Sequence, residues 1–187
     1  MTGVQTCALP ISHPRLDLTL SDDKPTFFST NVHLSCFAAG TPVHTLAGKK
    51  PIESVQIGDQ VLTQDPRTAE LSYQPVLAAV QNKPDKIVEI NLGGEVIRAT
   101  AIHRFWKAGQ GWVPARDLKS GDSLRALGGI AEVKTIRRGQ VQPVFNLKVM
   151  RAQSFFVGER GMLVHDNSAV ESVAQPFDLV PGFPCEH

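Results

Sequence analysis

Cys36 lies in the stretch SCFAAGTPV (residues 35–43), where its thiol can react with its own main chain. A thiol placed directly after a peptide bond can attack the carbonyl carbon of the preceding residue, Ser35, and form a thioester by an N-to-S acyl shift. Attack within one chain replaces a bimolecular encounter and so lowers the barrier. The thiol has an ordinary pKa of about 8.5, so it needs a base or a polarised carbonyl at neutral pH. An unpaired cysteine is also commonly a small buried hydrophobe, and its surroundings must decide between the two interpretations.

A hydroxyl and an imidazole that could serve this reaction occur together in TAIH (residues 100–103). The segment follows a predicted strand, and a turn there would expose Thr100 and His103 together. Both side chains could then hydrogen-bond the scissile peptide and stabilise the developing oxyanion. Imidazole can also move protons near neutral pH. A lone histidine near apolar residues is more often structural, so this motif gains its meaning from its position after Cys36.

A second group of reactive side chains ends the patterned part of the chain, at His165, Asp166, Asn167 and Ser168. The side-chain amide of Asn167 can attack its own carbonyl, which forms a succinimide and breaks the bond to Ser168. His165 lies two residues earlier and would share a strand face with Asn167, where it could protonate the leaving amine. The hydroxyl of Ser168 could accept an acyl group from a thioester. The alternative is a polar strand end at a surface turn.

Composition restricts the classes of function. The 187 residues carry 19 Lys and Arg against 18 Asp and Glu, so a net charge of +1 predicts no nucleic-acid partner. No apolar run is long enough for a membrane span. Three cysteines without CxxC spacing predict neither a disulfide framework nor a zinc site. A metal site built from Cys36, His44, His103 and His165 stays an alternative with poor ligand spacing. No metal or cofactor is expected.

The chain divides into four segments by composition. Residues 1–12 are predicted to be an artefact, because MTGVQTCALPI resembles a translated sequencing adapter. Residues 13–35 have the composition of a flanking linker, residues 36–167 form the folded body, and residues 168–187 are a Pro-containing irregular tail.

The body is predicted to be all-β, because short β-type runs alternate with Gly, Pro, Asp and Asn and no helical period is sustained. Asn91–Glu95 reads as a hairpin turn built on two glycines. The predicted strands are Val43–Leu46, Gln60–Thr63, Tyr73–Val80, Ile87–Leu92, Glu95–Ala99, Arg104–Lys107, Ser123–Ala126, Glu132–Arg138, Val144–Val149, Ser154–Val157 and Met162–His165.

One pattern, P-x-x-x-[VL]-x-x-G-D-x-[VL], occurs twice. Pro51 aligns with Pro114 and Gly58 with Gly121, an offset of 63 residues in each case. The pattern reads as a short helical turn, a Gly-Asp turn and a strand. Five matched positions at one offset indicate a duplication, and therefore two similar β halves related by pseudo-symmetry.

These motifs, in this order, resemble those of a Hint domain, the self-processing module of inteins, bacterial intein-like proteins and Hedgehog proteins. SCFAAGTPV resembles the first block, TAIH the T-x-x-H block, and VFNLKVMRAQSFFVGERGMLVHDN (residues 144–167) the last two blocks. The LVHDN ending is most similar to Hint domains of bacterial secreted, toxin-type or large surface proteins. The resemblance implies an all-β horseshoe of two pseudo-symmetric β subdomains.

The resemblance also implies a function. This is single-turnover autocatalytic cleavage at Ser35–Cys36 through a thioester, with cyclisation of Asn167 and splicing onto Ser168 as further steps. The substrate would be the chain's own flanking polypeptide, and the domain would act as a monomer. The implied catalytic residues are Cys36, Thr100, His103, His165, Asn167 and Ser168.

Three positions depart from the family pattern. Asp166 separates His165 from Asn167, which are usually adjacent in inteins. Asn146 stands where many inteins have an acid, and Gln153 stands where a histidine is common. Asn146 and Gln153 can hydrogen-bond intermediates but cannot carry protons, and with Asp166 they are auxiliary candidates.

Two other functions stay open. One is a catalytically inactive Hint scaffold, acting as a β-rich linker or interaction module of a larger bacterial surface or secreted protein. The other is a multi-turnover cysteine hydrolase that uses Cys36 and His103. Sterol transfer of the Hedgehog kind is disfavoured by the short Pro-interrupted segment after Asn167.

Overall fold

A computed structural model of the protein describes residues 35–166 and 168–169. This part of the chain is built from strands and two 3-10 turns, at Ile52–Ser54 and Ala115–Asp117, and contains no α-helix. The all-β prediction is therefore confirmed. The strands are β1 (Phe37–Ala38), β2 (Pro42–Thr45), β3 (Gly48–Pro51), β4 (Gln60–Gln64), β5 (Leu71–Asn91), β6 (Val96–Thr100), β7 (Arg104–Lys107), β8 (Gly111–Pro114), β9 (Ser123–Ala126), β10 (Gly129–Glu132), β11 (Thr135–Val149), β12 (Ser154–Val157) and β13 (Met162–His165).

A long antiparallel ribbon of β5 and β11 connects the two halves of the structure. The early part of β5 pairs with β4, its last five residues pair with β6, and β11 follows it for most of its length. β5 has 21 residues and would extend about 70 Å if it were straight. It bends instead at register shifts in the ribbon. The remaining strands follow in the order β10-β9-β7-β13-β12-β2-β4, so β12 and β13 lie between the two copies of the repeat.

The 63-residue repeat appears as two copies of one structure. Each copy begins at a proline in extended conformation, Pro51 or Pro114, that directly precedes a 3-10 turn. Gly58 and Gly121 then adopt φ of 91° and 92°, a left-handed conformation that favours glycine at both turns. Each copy therefore enters its next strand, β4 or β9, through the same turn.

The Gly-Asp turns are held by matching hydrogen bonds. Asp59 accepts the N–H of Gln56 at 3.0 Å, and Asp122 accepts the N–H of Lys119 at 2.8 Å. Each carboxylate also pairs with a lysine. Burial alone would raise the pKa of Asp122, but these contacts outweigh it, and the pKa of both Asp122 and Asp59 is lowered. The two copies of the repeat therefore share the same turn and the same hydrogen bonds, as two pseudo-symmetric halves predict.

The core lies under the first strand of the domain. The ring of Phe37, directly after Cys36, packs edge-on against Phe105 and Phe155, with ring centroids 6.1 Å apart in each pair. All three rings are fully buried. Such burial stabilises the fold by about 1.5–3 kcal/mol for each ring. Because Phe37 is fixed in this way, the backbone of Cys36 is fixed as well.

The predicted strand boundaries were wrong at two kinds of position. β5 runs unbroken through residues 81–86, where Asn, Pro and Asp indicated a break, because a bulge absorbs these residues without ending the ribbon. β11 likewise continues through residues 139–143. The short strands β1, β3, β8 and β10 were also missed, because their sequences show little apolar alternation. The part of the chain that the structure describes has no helix suited to crossing a membrane.

Candidate active site

Cys36 is enclosed between two strands at the start of the domain. The following residue, Phe37, pairs with Phe145 of β11 and with Ala99 of β6, so the chain enters between these strands. The Cys36 side chain is fully buried and packs against Ile87 and Val144. The two interpretations of this cysteine are therefore compatible, since a buried thiol here also adjoins the peptide bond that it could attack.

The peptide bond between Ser35 and Cys36 is held on both sides. The N–H of Cys36 donates to Oγ1 of Thr100 at 2.9 Å, and the N–H of Thr100 donates to the carbonyl of Cys36 at 2.8 Å. The Nδ2 group of Asn146 donates to the carbonyl oxygen of Ser35. Thr100 thus contacts the nitrogen that an acyl shift would release, and Asn146 contacts the oxygen on which charge would develop.

Asn146 is fixed by a second hydrogen bond. Its Oδ1 accepts the main-chain N–H of Leu147 at 2.7 Å, and the side chain is fully buried in β11. Because the amide oxygen is bonded to the main chain of β11, the NH₂ group points toward Ser35. Such a donor is preorganised for a carbonyl oxygen that becomes negative.

The thiol of Cys36 has a polar partner that sequence reasoning missed. Nδ2 of Asn82, on β5, donates to Sγ of Cys36 at 3.0 Å. Burial raises the pKa of the thiol to about 11, the Asn82 hydrogen bond lowers it in part, and the carboxylate of Asp85 raises it again. At pH 7, about one molecule in ten thousand would then carry the thiolate. The resting site therefore holds a protonated thiol.

His103 is buried and uncharged. Its ring lies 3.9 Å from that of Phe37 and 5.9 Å from that of Phe105, measured between centroids. Burial, and then the charge on His165, lower its pKa to about 3, and the main chain of His165 and of Ser35 offsets part of this shift. Neither ring nitrogen makes a hydrogen bond of good geometry within the described part of the chain. His103 is therefore a neutral imidazole between the main chains at the two ends of the domain.

The expectation that a turn exposes Thr100 and His103 is wrong. Thr100 is the last residue of β6 rather than a turn residue, and both side chains are buried. The N–H of His103 donates to the carbonyl of Thr100 at 3.0 Å, which makes the tight connection between them. The strand continues one residue further than predicted because Ile87 of β5 pairs with Thr100.

The C-terminal residues form their own network. Nδ1 of His165 lies 2.8 Å from the carbonyl oxygen of Asp166, and the His165 ring stands edge-on to Trp112. The buried carboxylate of Asp166 accepts the N–H of Val149 at 2.8 Å and the N–H of Ser168 at 2.7 Å. Asn167 lies outside the described residues. The Asp166 carboxylate therefore connects the end of β11 to the residue that follows the final strand.

Gln153 contributes through its main chain. It adopts φ of 52° in the turn between β11 and β12, and its carbonyl accepts the N–H of Asp166 at 2.8 Å. A non-glycine residue at positive φ costs of order 1 kcal/mol, and this hydrogen bond helps to offset that cost. Gln153 thus helps to place Asp166.

The structure separates the predicted candidates into two groups. Cys36, Thr100 and Asn146 meet at the Ser35–Cys36 bond, and His103 connects this group with the main chain of His165. Asp166 and Ser168 meet at the other end. His44 contacts the carbonyl of Gly158 at 2.7 Å. Across residues 35–166 and 168–169, no three His, Cys, Asp or Glu side chains are grouped as metal ligands would be.

Three comparisons place this geometry among known proteins. Residues 42–167 match the family model described as the pretoxin Hint domain. The solution structure of a bacterial intein-like domain from Clostridium thermocellum is 31% identical in sequence and superposes with a TM-score of 0.67, covering 70% of this chain and 98% of that one. A DnaB intein from Synechocystis, at 17% identity and a TM-score of 0.66, covers 71% of this chain and 98% of its own, and shows the fold alone.

One curated relative matches over a shorter region. Warthog protein 6 of Caenorhabditis elegans is 32% identical over 77 residues, which are 39% of this chain and 13% of that protein. The match thus spans a small part of that relative's length. The family model, by contrast, covers most of the part of the chain that the structure describes. Together with the intein fold, it shows that the chain belongs to the pretoxin Hint domain family.

Proposed function

We propose that this domain cleaves its own chain between Ser35 and Cys36 through a thioester. The observation that carries the proposal is the arrangement of three side chains around one peptide bond. Thr100 contacts its nitrogen, Asn146 contacts its carbonyl oxygen, and the thiol of Cys36 adjoins it within the same residue. Proximity of this kind replaces a bimolecular encounter.

In the first step, Sγ of Cys36 forms a bond with the carbonyl carbon of Ser35. Negative charge moves to the carbonyl oxygen, where the NH₂ group of Asn146 stabilises it. The bond from this carbon to the nitrogen of Cys36 then breaks, and the nitrogen takes up the proton that the thiol gave away. The products are a thioester on Sγ and a free amine on Cys36. Water or an added thiol then releases the upstream segment.

Further steps would take place at the other end of the domain. Cyclisation of Asn167 would break its bond to Ser168, with the imidazole of His165, two residues earlier in the chain, as the proton donor, and Ser168 could accept the acyl group in splicing. The domain would then comprise residues 36–167, with flanks at 13–35 and 168–187 and an artefact at 1–12. The reaction is single-turnover and intramolecular, and its substrate is the flanking polypeptide of a bacterial toxin-type secreted or surface protein. A monomer is sufficient for it.

Mass spectrometry of the purified full chain tests this function directly. Incubation with a small thiol should release a fragment ending at Ser35 and a fragment beginning at Cys36. Cys36→Ala should release neither fragment, whereas Asn167→Ala should still release both. Identical spectra for the wild type and Cys36→Ala after prolonged thiol treatment would contradict the proposal.

The second candidate is an inactive scaffold, and the protonated state of the thiol favours it. Burial raises the pKa of Cys36 to about 11, and His103 is neutral, so neither group is activated at rest. A scaffold would give no thiol-dependent fragment at any pH. Multi-turnover hydrolysis is disfavoured, since a fully buried Cys36 offers an external substrate no access.

A further inference from the structure

The ribbon of β5 and β11 is irregular directly beside the thiol. Asp85 pairs with Gln142 and Asn82 pairs with Val144, so three steps along β5 correspond to two steps along β11. This mismatch is a β-bulge with one extra residue on β5. The bulge includes Pro84, which has no main-chain N–H to leave unpaired.

The bulge changes which side chains share a face. In a regular strand, residues 82 and 85 would lie on opposite faces, because side chains alternate. Paired residues of an antiparallel ribbon share a face, and so do Gln142 and Val144, which are two residues apart. Asn82 and Asp85 therefore lie on one face of the ribbon. That face packs on Cys36 through Val144 and Ile87.

Both polar groups act on the thiol. Nδ2 of Asn82 donates to Sγ of Cys36 at 3.0 Å. The carboxylate of Asp85 interacts electrostatically with the same thiol. One of its oxygens, Oδ1, accepts the N–H of Lys86 at 2.7 Å, which holds the carboxylate against its own strand. β5 thus places an N–H donor on the sulfur atom and a carboxylate on the same face of the ribbon.

We propose that Asp85 accepts the thiol proton of Cys36 while Asn82 holds the sulfur, so that the bulge of β5 supplies the activating pair of the acyl shift. The inference deepens the proposed function and rests on it. The S–H proton moves to the carboxylate of Asp85 as Sγ bonds to the carbonyl carbon of Ser35. When the bond to the Cys36 nitrogen breaks, the same proton returns to that nitrogen. The carboxylate is regenerated, and no other reactant is consumed.

This pair serves a need that the rest of the site leaves unmet. Asn146 is an amide and cannot take a proton from the thiol, and His103 is enclosed by aromatic rings with its charge suppressed. Thr100 holds the amide nitrogen. The carboxylate on β5 supplies the proton acceptor that these three residues do not. General base catalysis of this kind typically contributes a factor of about 10² to 10⁴.

The test measures thiol-induced cleavage of the full chain in Asp85→Asn. The asparagine can keep the oxygen that accepts the N–H of Lys86, but it cannot take a proton. We expect its cleavage rate to fall by about 100-fold at an unchanged melting temperature. Asp65→Asn is the matched control, because Oδ1 of Asp65 also accepts a main-chain N–H close by in sequence, that of Arg67, in a loop outside the site. It should cleave at the wild-type rate.

An exchange of the two side chains separates a proton acceptor from a structural role. The double variant Asn82→Asp/Asp85→Asn places the carboxylate at the position that contacts the sulfur. We expect it to cleave at least ten times faster than Asp85→Asn alone, an improvement that a merely structural role would not produce. No improvement in a folded double variant, or wild-type cleavage by Asp85→Asn, would overturn the inference and leave the proposed function intact. Absence of cleavage in the wild type would overturn both.

Discussion

Asn146→Ala should slow cleavage at Ser35–Cys36 more than any loss of stability explains. The change removes the NH₂ group that contacts the carbonyl oxygen of Ser35. That oxygen becomes negative when the thiol attacks, so the lost donor stabilises the transition state more than the resting peptide. The structure therefore predicts an effect on rate even in a well-folded variant.

The expected magnitude follows from the contacts. Loss of one oxyanion donor typically costs about 10² to 10³ in rate, or about 2.7–4 kcal/mol. We expect about 100-fold, because Thr100 still holds the nitrogen of the scissile bond. Asn146→Ala also leaves the buried N–H of Leu147 without its acceptor, which should lower the free energy of unfolding by about 1–3 kcal/mol.

A second variant separates the two effects. Asn146→Asp keeps an oxygen for the N–H of Leu147 but places the other oxygen against the carbonyl of Ser35. At a pH where this carboxylate is ionised, it has no hydrogen to donate and repels the developing oxyanion, so cleavage should be at least as slow as in Asn146→Ala.

The assay is the time course of fragment release with a small thiol, followed by mass spectrometry, with urea denaturation measured in parallel. Asn91→Ala is the control, since its Oδ1 accepts the N–H of Gly93 in a distant hairpin. Cleavage by folded Asn146→Ala and Asn146→Asp at the rate of this control would refute the role of Asn146.

Three further changes have distinct expected outcomes. Gly139→Ala should lower the free energy of unfolding by about 1–3 kcal/mol in urea, because a Cβ there would lie 2.7 Å from Cγ1 of buried Ile87. Asp166→Ala should lower it by a similar amount, since two main-chain N–H groups lose their acceptor. The pKa of His103 falls from 6.5 to about 3 on folding, so its contribution to stability is complete above pH 6.5 and is lost as the pH falls toward 3. His103→Gln should therefore show a shallower loss of stability over this range than the wild type, and equal slopes would contradict the assigned shift.

The architecture could be predicted from the sequence because the same turn-forming residues occur twice, 63 residues apart. Gly58 and Gly121 adopt a left-handed conformation, and Asp59 and Asp122 accept hydrogen bonds in the same turns. Because these residue types recur at one offset, the sequence predicts two similar halves. Strand continuity was not accessible. The turn-forming residues around Pro84 indicate a chain reversal, and only pairing with β11 shows that they form a bulge instead.

The site was accessible where the residues lie in recognisable motifs. Cys36, Thr100 and His103 have fixed spacings within their blocks. Asn82 and Asp85 have no such spacing. A two-residue period assigns them to opposite faces of a strand, and their common approach to Cys36 depends on one inserted residue. That residue is accommodated by the pairing of β5 with β11. No local sequence pattern predicts this pairing.

The resting state has a physical consequence for control of the reaction. Burial keeps the thiol of Cys36 protonated and keeps His103 neutral, so the chain can fold before either group reacts. The same burial strengthens the hydrogen bonds that Thr100 and Asn146 make to the scissile bond. The main chains of both Ser35 and His165 also influence the pKa of His103. Because one imidazole lies between both ends of the domain, a shift of the Ser35 carbonyl during thioester formation changes the surroundings of the ring that faces His165. In the proposed reaction, the shared imidazole would thus link chemistry at Cys36 to the C-terminal junction.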